Sequence, residues 1–254
     1  MPAKAETEQD PGRGPGGRPD RSTAPLTGAE GAGPEGAGAE GAGPEGAGAA
    51  GVGPAGPVAA APVAGLLLAA GGGRRLGGRP KALLPYRGRP LVENAVHVLR
   101  EAGCDPVHVV LGASADEVRE RADLSGCVVV DNPDWAEGMG SSLRVGLASL
   151  AGTGAGAALV SLVDQPGIGA RAVARVREAY RSPASLVAAS YDGERGHPVL
   201  FGADRWPDIA ATATGDRGAR VHLKEHAAEV MLVECGDVAA PFDIDTPPDL
   251  ARLA

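Results

Sequence analysis

Aromatic residues are scarce. Phe, Tyr and Trp together supply 7 of the 254 residues, and none of them lies in residues 1–62. That first stretch instead holds 16 Gly and 10 Pro. It lacks the large apolar side chains whose burial would offset the entropy of ordering so permissive a backbone. Residues 1–62 are therefore expected to be a disordered tail, and residues 63–254 to form one compact domain with its own core. Cysteine is scarce too: Cys104, Cys127 and Cys235 are odd in number, widely spaced and form no CxxC. Neither a disulfide framework nor a thiolate zinc site is suggested, and a reducing cytoplasm fits. No apolar run approaches the about 18 residues of a membrane span, and nothing near Met1 has the charged and apolar regions of a secretory signal. A cytoplasmic protein with no membrane partner is expected. Basic charge is also in short supply: the net formal charge is −8, and residues 63–254 carry 20 basic against 24 acidic side chains. Such a balance argues against a nucleic-acid partner, which calls for a basic face.

Within the tail, GAEGAGPEGA occurs twice in tandem, from Gly28 to Ala37 and from Gly38 to Ala47. The period is too short for a helical solenoid and lacks the three-residue repeat of collagen. Two GxGxxG matches fall here, Gly31–Gly36 and Gly41–Gly46. Neither follows a strand or opens a helix, so both read as accidents of composition.

Order begins at VAGLLLAA (63–70), an apolar run suited to a strand buried on both faces. Leu91, Val92, Ala95, Val96 and Leu99 recur at helical spacing. PVHVVL (106–111), CVVVD (127–131) and AALVSLVD (157–164) read as strands, separated by helices at 116–122 and 141–150. A helix at 171–180 precedes strands in SLVAASYD, HPVLF and EVMLVEC, the last two flanking a helix at 217–227. The alternation predicts an α/β fold, doubly wound, with a mainly parallel sheet. Ligands of such sheets sit outside the carboxyl ends of the strands, which directs attention to three polar loops: GGGRRLGGRPK, DNPDWAEGMGSS and DQPG.

The first of these, within Leu68–Lys81, has three consecutive Gly and the cations Arg74, Arg75, Arg79 and Lys81. Free amides and clustered cations suit a polyphosphate, although the GxxxxGK[ST] pattern is absent. Asp164 closes the fourth strand, where a carboxylate needs a partner and a divalent cation is a common one. Near the end of the chain, Asp243 and Asp245 alternate with Ile244 and so point the same way if extended. Thr246 and Asp249 also have the spacing of a helix cap. One decoy is HLKEH (222–226), which fits the HxxEH zinc-protease pattern; with no matching downstream ligand evident, it reads as an amphipathic surface helix.

LAAGGGRRLGGRPK resembles the LAAGxxxRxGxxxK signature of MobA-like nucleotidyltransferases, with Leu76 where Met is usual. EGMGSSLRVGL, LVDQPGI, RGHPVLF, GDRGAR and DIDTPPDL follow in the order found in the molybdenum cofactor cytidylyltransferase branch. The resemblance implies a Rossmann-like nucleotidyltransferase domain over 63–254 that joins CMP from CTP to molybdopterin or molybdenum cofactor and releases pyrophosphate. It implies that Leu68, Ala69, Ala70, Gly71 and Gly72 approach the nucleotide, with Arg75 and Lys81 on its phosphates. Asn132 and Ser142 would help fix the base. Asp164 and Asp245 would hold Mg2+, making Lys81, Arg75 and Asp164 the catalytic set. His197 is placed nearest the second substrate, and Arg217 and Arg220 on the pterin phosphate. A molybdenum hydroxylase or its chaperone would be the protein partner. Three readings stay open beside this one: a guanylyltransferase, transfer to another phosphorylated acceptor, and a module that delivers cofactor without chemistry.

Overall fold

The computed structural model describes residues 61–253, so the tandem repeats and nearly all of the expected tail lie outside the described residues. The chain runs β1 (Val63–Leu68), β2 (Pro85–Tyr86), β3 (Arg89–Pro90), α1 (Leu91–Glu101), β4 (Val107–Leu111) and α2 (Ala115–Arg121). It continues β5 (Val128–Asp131), α3 (Met139–Ser149), β6 (Ala157–Leu162), α4 (Ala170–Glu178), β7 (Leu186–Tyr191), β8 (Glu194–Gly202), α5 (Trp206–Thr212), α6 (Arg220–Glu225) and β9 (Val230–Glu234). Seven strands form one sheet in the order β5-β4-β1-β6-β8-β7-β9, and β2 pairs with β3 as a separate small ribbon. Only β8 runs against its neighbours; the other pairings in the large sheet are parallel.

The apolar run of β1 is buried at all six residues because both faces of the sheet are covered. Successive side chains alternate between faces. Leu67 packs with Leu91, Val96, Leu99 and Val173 of α1 and α4. Leu66 belongs to a buried cluster with Leu143 and Leu147 of α3, Ile209 of α5 and Leu223 of α6. The chain moves from β1 outward to β4 and β5, then returns through α3 to place β6 on the other side of β1. That reversal between β1 and β6 is a topological switch point, where the carboxyl ends of adjacent strands leave a crevice.

Three details depart from the sequence reading. β6 stops at Leu162, so Asp164 stands in the turn beyond the strand, where its carbonyl accepts from the Ile244 amide at 2.9 Å. The helix expected over 217–227 is shorter, because Gly218 takes a positive φ of 51° that interrupts it. The sequence reading passed over α5, a short element with Ile209 as its one buried side chain, too brief to show a period. The segment after Thr246 is a 3-10 helix, Pro247–Leu253, and the Thr246 amide and hydroxyl donate to Asp249 Oδ2 at 2.8 and 2.7 Å as the capping pattern implied. In HLKEH, the His222 ring in α6 and the His226 ring just past its end stack with centroids 4.2 Å apart.

The contact between α3 and the sheet depends on a glycine. A Cβ on Gly146 would lie 2.6 Å from Leu66 Cδ1, and Leu66 is fully buried. Gly146→Ala gains helix propensity worth about 1 kcal/mol but overpacks this contact at a cost of roughly 1–3 kcal/mol. We predict a net loss of about 1 kcal/mol in urea unfolding; a variant more stable than the parent would refute the packing argument.

Candidate active site

Lys81 opens a short 3-10 turn whose next residue, Ala82, is buried, so the backbone beneath the lysine is anchored in the core. Its Nζ donates to Asp164 Oδ2 at 2.6 Å and to Asp245 Oδ1 at 2.5 Å. The Lys81 side chain is 14% exposed and that of Asp164 20%. Arg75 stands farther out, 3.7 Å from Asp245 and 76% exposed. Ile244 is fully buried and fixes the segment that carries Asp245. On its other side, Asp243 accepts from Gln165 Nε2 at 2.8 Å, a second tie between the same two segments.

The electrostatics of the cluster follow from burial. Desolvation works to lower the Lys81 pKa, but the attraction of Asp164 and hydrogen bonds to both carboxylates win and raise it. Desolvation raises the Asp164 pKa, with Asp243 adding to it and Lys81 opposing. Two carboxylates thus converge on one largely buried ammonium, with Arg75 3.7 Å from the outer of them. Two carboxylate oxygens that already converge on one cation suit a divalent ion completed by substrate oxygens and water. The residues present therefore fit the expected metal.

The Gly loop turns back on itself. Gly73 accepts from the amides of Leu76 and Gly78 at 2.8 and 3.1 Å. It has a positive φ of 56°, and a Cβ there would sit 2.0 Å from the Arg79 carbonyl oxygen, so only glycine fits. Among the described residues, the amides of Gly71 and Gly72 have no hydrogen-bond partner.

A cleft of about 380 Å³ opens over this loop at the β1–β6 switch point. Leu68, Ala70, Gly71 and Gly72 line it, as do Arg75, Lys81, Ser142, Asp164 and Asp245. Ala69 instead turns into the core beneath α1. Asn132 does not line the cleft: it is 1% exposed, and its Nδ2 donates to the Ser141 and Ser142 hydroxyls at 2.9 Å each, so it braces the start of α3. Arg217 and Arg220 are exposed and outside the lining. The sequence reading named none of Trp135, Glu137, Met139 and Asp216, all of which line the cleft. The signal for Trp135 was its rarity, being one of two tryptophans; Arg74 lies 5.8 Å over its ring. Asp216 sits inside GDRGAR, where the resemblance implies roles for the arginines instead.

His197 belongs to a different space, a cavity of about 20 Å³ shared with Asn94, Ser161 and Gln165. Burial pushes its imidazole down to about 4, against the pull of Asp243 and with the repulsion of Arg220 and Arg195. The folded state thus resists a proton that the unfolded chain accepts near 6.5. The unfolded state binds more protons in that window, so this contribution to stability is present above about pH 6.5 and is lost as pH falls toward 4. Urea midpoints measured from pH 7 to pH 4 should fall more steeply for the parent than for His197→Asn; equal slopes would place the pH dependence elsewhere.

Comparison with known proteins agrees with this geometry. Residues 65–230 match the model of the MobA-like NTP transferase domain. The chain is 44% identical over 196 residues to the nicotine blue oxidoreductase of Paenarthrobacter nicotinovorans, covering 74% of this chain and 95% of that protein. It is 31% identical over 199 residues to the molybdenum cofactor guanylyltransferase of Rhodobacter capsulatus, covering 74% and 93%. The crystal structure of Rv0371c from Mycobacterium tuberculosis in complex with manganese superposes with a TM-score of 0.64 at 30% identity, covering 76% of this chain and 97% of that one. With the sheet order, the Gly loop and the match over most of the folded region in agreement, the chain belongs to the MobA-like NTP transferase family and is related to molybdenum cofactor guanylyltransferases.

Proposed function

We propose that the protein transfers CMP from CTP to the phosphate of molybdopterin or molybdenum cofactor. The observation that carries this reading is the Lys81 ammonium held between Asp164 and Asp245 under a cationic Gly loop. An acceptor phosphate oxygen attacks the α-phosphorus in line, the bond to the β-phosphate oxygen breaks, and pyrophosphate leaves. The acceptor is already ionised, so the protein's task is positioning and charge neutralisation. The amides of Gly71 and Gly72 and the side chains of Arg75 and Lys81 hold the triphosphate. Asp164 and Asp245 would hold Mg2+, which supplies further neutralisation of the phosphate oxygens; the manganese in the Mycobacterium tuberculosis relative supports a divalent ion. The choice of cytidine rests on the ordered motifs EGMGSSLRVGL through DIDTPPDL. GTP is the alternative donor, supported by the guanylyltransferase relative.

A second reading has a specific observation behind it. The relative at 44% identity is named an oxidoreductase, so the same cleft could serve electron transfer with a reduced dinucleotide. Against this, the loop after β1 has no GxGxxG, while its cations suit a triphosphate.

Incubation with Mg2+, molybdenum cofactor and each nucleoside triphosphate should release pyrophosphate, with CTP preferred, while NADH and NADPH are not oxidised in the presence of a dye acceptor. Asp164→Asn should lower kcat by about 100-fold or more, the scale of losing one electrostatic stabiliser. Dinucleotide oxidation without pyrophosphate release would replace this reading with the second. Lys81 also competes with a metal for the same oxygens. In electron paramagnetic resonance titrations without nucleotide, Lys81→Met should bind Mn2+ at least about tenfold more tightly than the parent, through loss of one competing unit charge, and turn over more slowly. Unchanged Mn2+ affinity would show that the ammonium and the ion do not share a site.

A further inference from the structure

Charge in the cleft is divided between its walls. Arg74, Arg75 and Lys81 come from the segment after β1. Asp164 and Asp245 are answered by Lys81, and Glu137 is paired with Arg144 at 2.8 Å. Asp216 is different. It lines the cleft and is exposed, and among the described residues its carboxylate makes no hydrogen bond or ion pair.

The position of Asp216 is set by its backbone. Gly215 and Gly218 take positive φ of 52° and 51° on either side of it, and Arg144 Nη1 donates to the Ala213 carbonyl at 2.6 Å, tying the preceding residues to α3. A Cβ on Gly138 would lie 2.6 Å from Asp216 Oδ1, so the carboxylate stands directly against the residue that opens α3. Gly140 leaves room for the same segment: a Cβ there would meet the Thr214 amide nitrogen at 2.7 Å.

A carboxylate in a cleft that receives a polyanion is repelled by phosphate. It is useful toward a part of the substrate that offers hydrogen-bond donors, the ribose hydroxyls or a base N–H, and of these only the base N–H differs between ribonucleoside triphosphates. We propose, resting on the reading of the cleft as a nucleoside triphosphate site, that Asp216 is a specificity-determining residue that accepts a hydrogen bond from the exocyclic amino group of the base. Cytosine presents N4–H₂, the donor that Asp and Glu accept from. Uracil carries O4 at that place, so its binding would set an acceptor against a charged acceptor with no proton between them. Adenine and guanine also carry amino groups, so Asp216 separates amino-bearing bases from uracil rather than CTP from GTP. Trp135 and Met139 add apolar surface to the cleft.

The test is equilibrium calorimetry with Mg2+ on the full chain, using CTP, UTP and inorganic tripolyphosphate as probes. The parent should bind CTP about 30-fold or more tightly over UTP, the scale of one charge-assisted hydrogen bond. Asp216→Ala should bring the two within about threefold of each other, chiefly by weakening CTP. Asp216→Asn, whose amide can offer N–H to O4, should gain UTP affinity. Tripolyphosphate should bind the variants at least as tightly as the parent, because a negative charge has been removed, and this separates a lost base contact from a misfolded protein. If the parent binds CTP and UTP equally, or if the ratio survives in Asp216→Ala, the inference is overturned while the transferase reading stands. If neither nucleotide nor tripolyphosphate binds the parent, both are overturned.

Discussion

The site depends on one lysine held between two acids. Lys81 reaches residues 83 and 164 positions away in sequence, and without it Asp164 would stand largely out of water beside Asp245 with no cation to answer it. Two like charges so placed repel, and burial alone already raises the Asp164 pKa. The ammonium therefore does more than join two side chains. It is the condition under which the turn after β6 and the segment before the final 3-10 helix can share the edge of the sheet. Breaking such a partly buried pair exposes an uncompensated charge, which is why these contacts are costly to lose even where their net contribution to stability is small.

The fold brings these segments together through its strand order. β1 and β6 are neighbours in the sheet but lie on opposite sides of the topological reversal, so their carboxyl ends open onto a common crevice. The Val163 amide donates to the Leu68 carbonyl at 3.2 Å just beyond the paired strands, and the Ile244 amide donates to the Asp164 carbonyl at 2.9 Å. Backbone hydrogen bonds thus draw the three chemical segments together, and Lys81 answers the acids that they bring to one edge. The side chains need only be of the right charge and length, and Ile244, buried between two acids, keeps Asp243 and Asp245 from trading places.

Much of this was legible in the sequence, and the reasons are local. β1, β4, β6 and α1 carry strong apolar patterns because they are buried on wide surfaces. The Gly loop, Asp164 and Asp245 were legible because their residue types are costly where strands end. Asn132 and His197 misled for a shared reason: polar residues beside a site look the same in sequence whether they face the ligand or brace the wall behind it. Asn132 spends its donors on Ser141 and Ser142, and His197 faces a small cavity of its own. Asp216 was missed for the opposite reason. Its element, α5 and the turn after it, is too short for a periodic signal, and its closeness to Gly138 is a tertiary fact that no spacing reports.

The two walls of the cleft come from different parts of the chain, and this separates the tasks they perform. The cations of the cleft and the acids bound to them belong to the β1 loop and to the segments that carry Asp164 and Asp245, which are tied to the sheet by backbone hydrogen bonds. The opposite wall belongs to the start of α3 and the turn at Gly215–Arg217, which are tied to one another by Arg144 and by the close packing of Gly138 and Gly140. A substitution in the second wall can alter what the cleft accepts without disturbing Lys81 and its two carboxylates. The first wall has less freedom, since Lys81, Asp164 and Asp245 are bound to one another. Walls separated in this way allow ligand preference to change at one of them alone, and relatives of this chain carry names as different as guanylyltransferase and oxidoreductase.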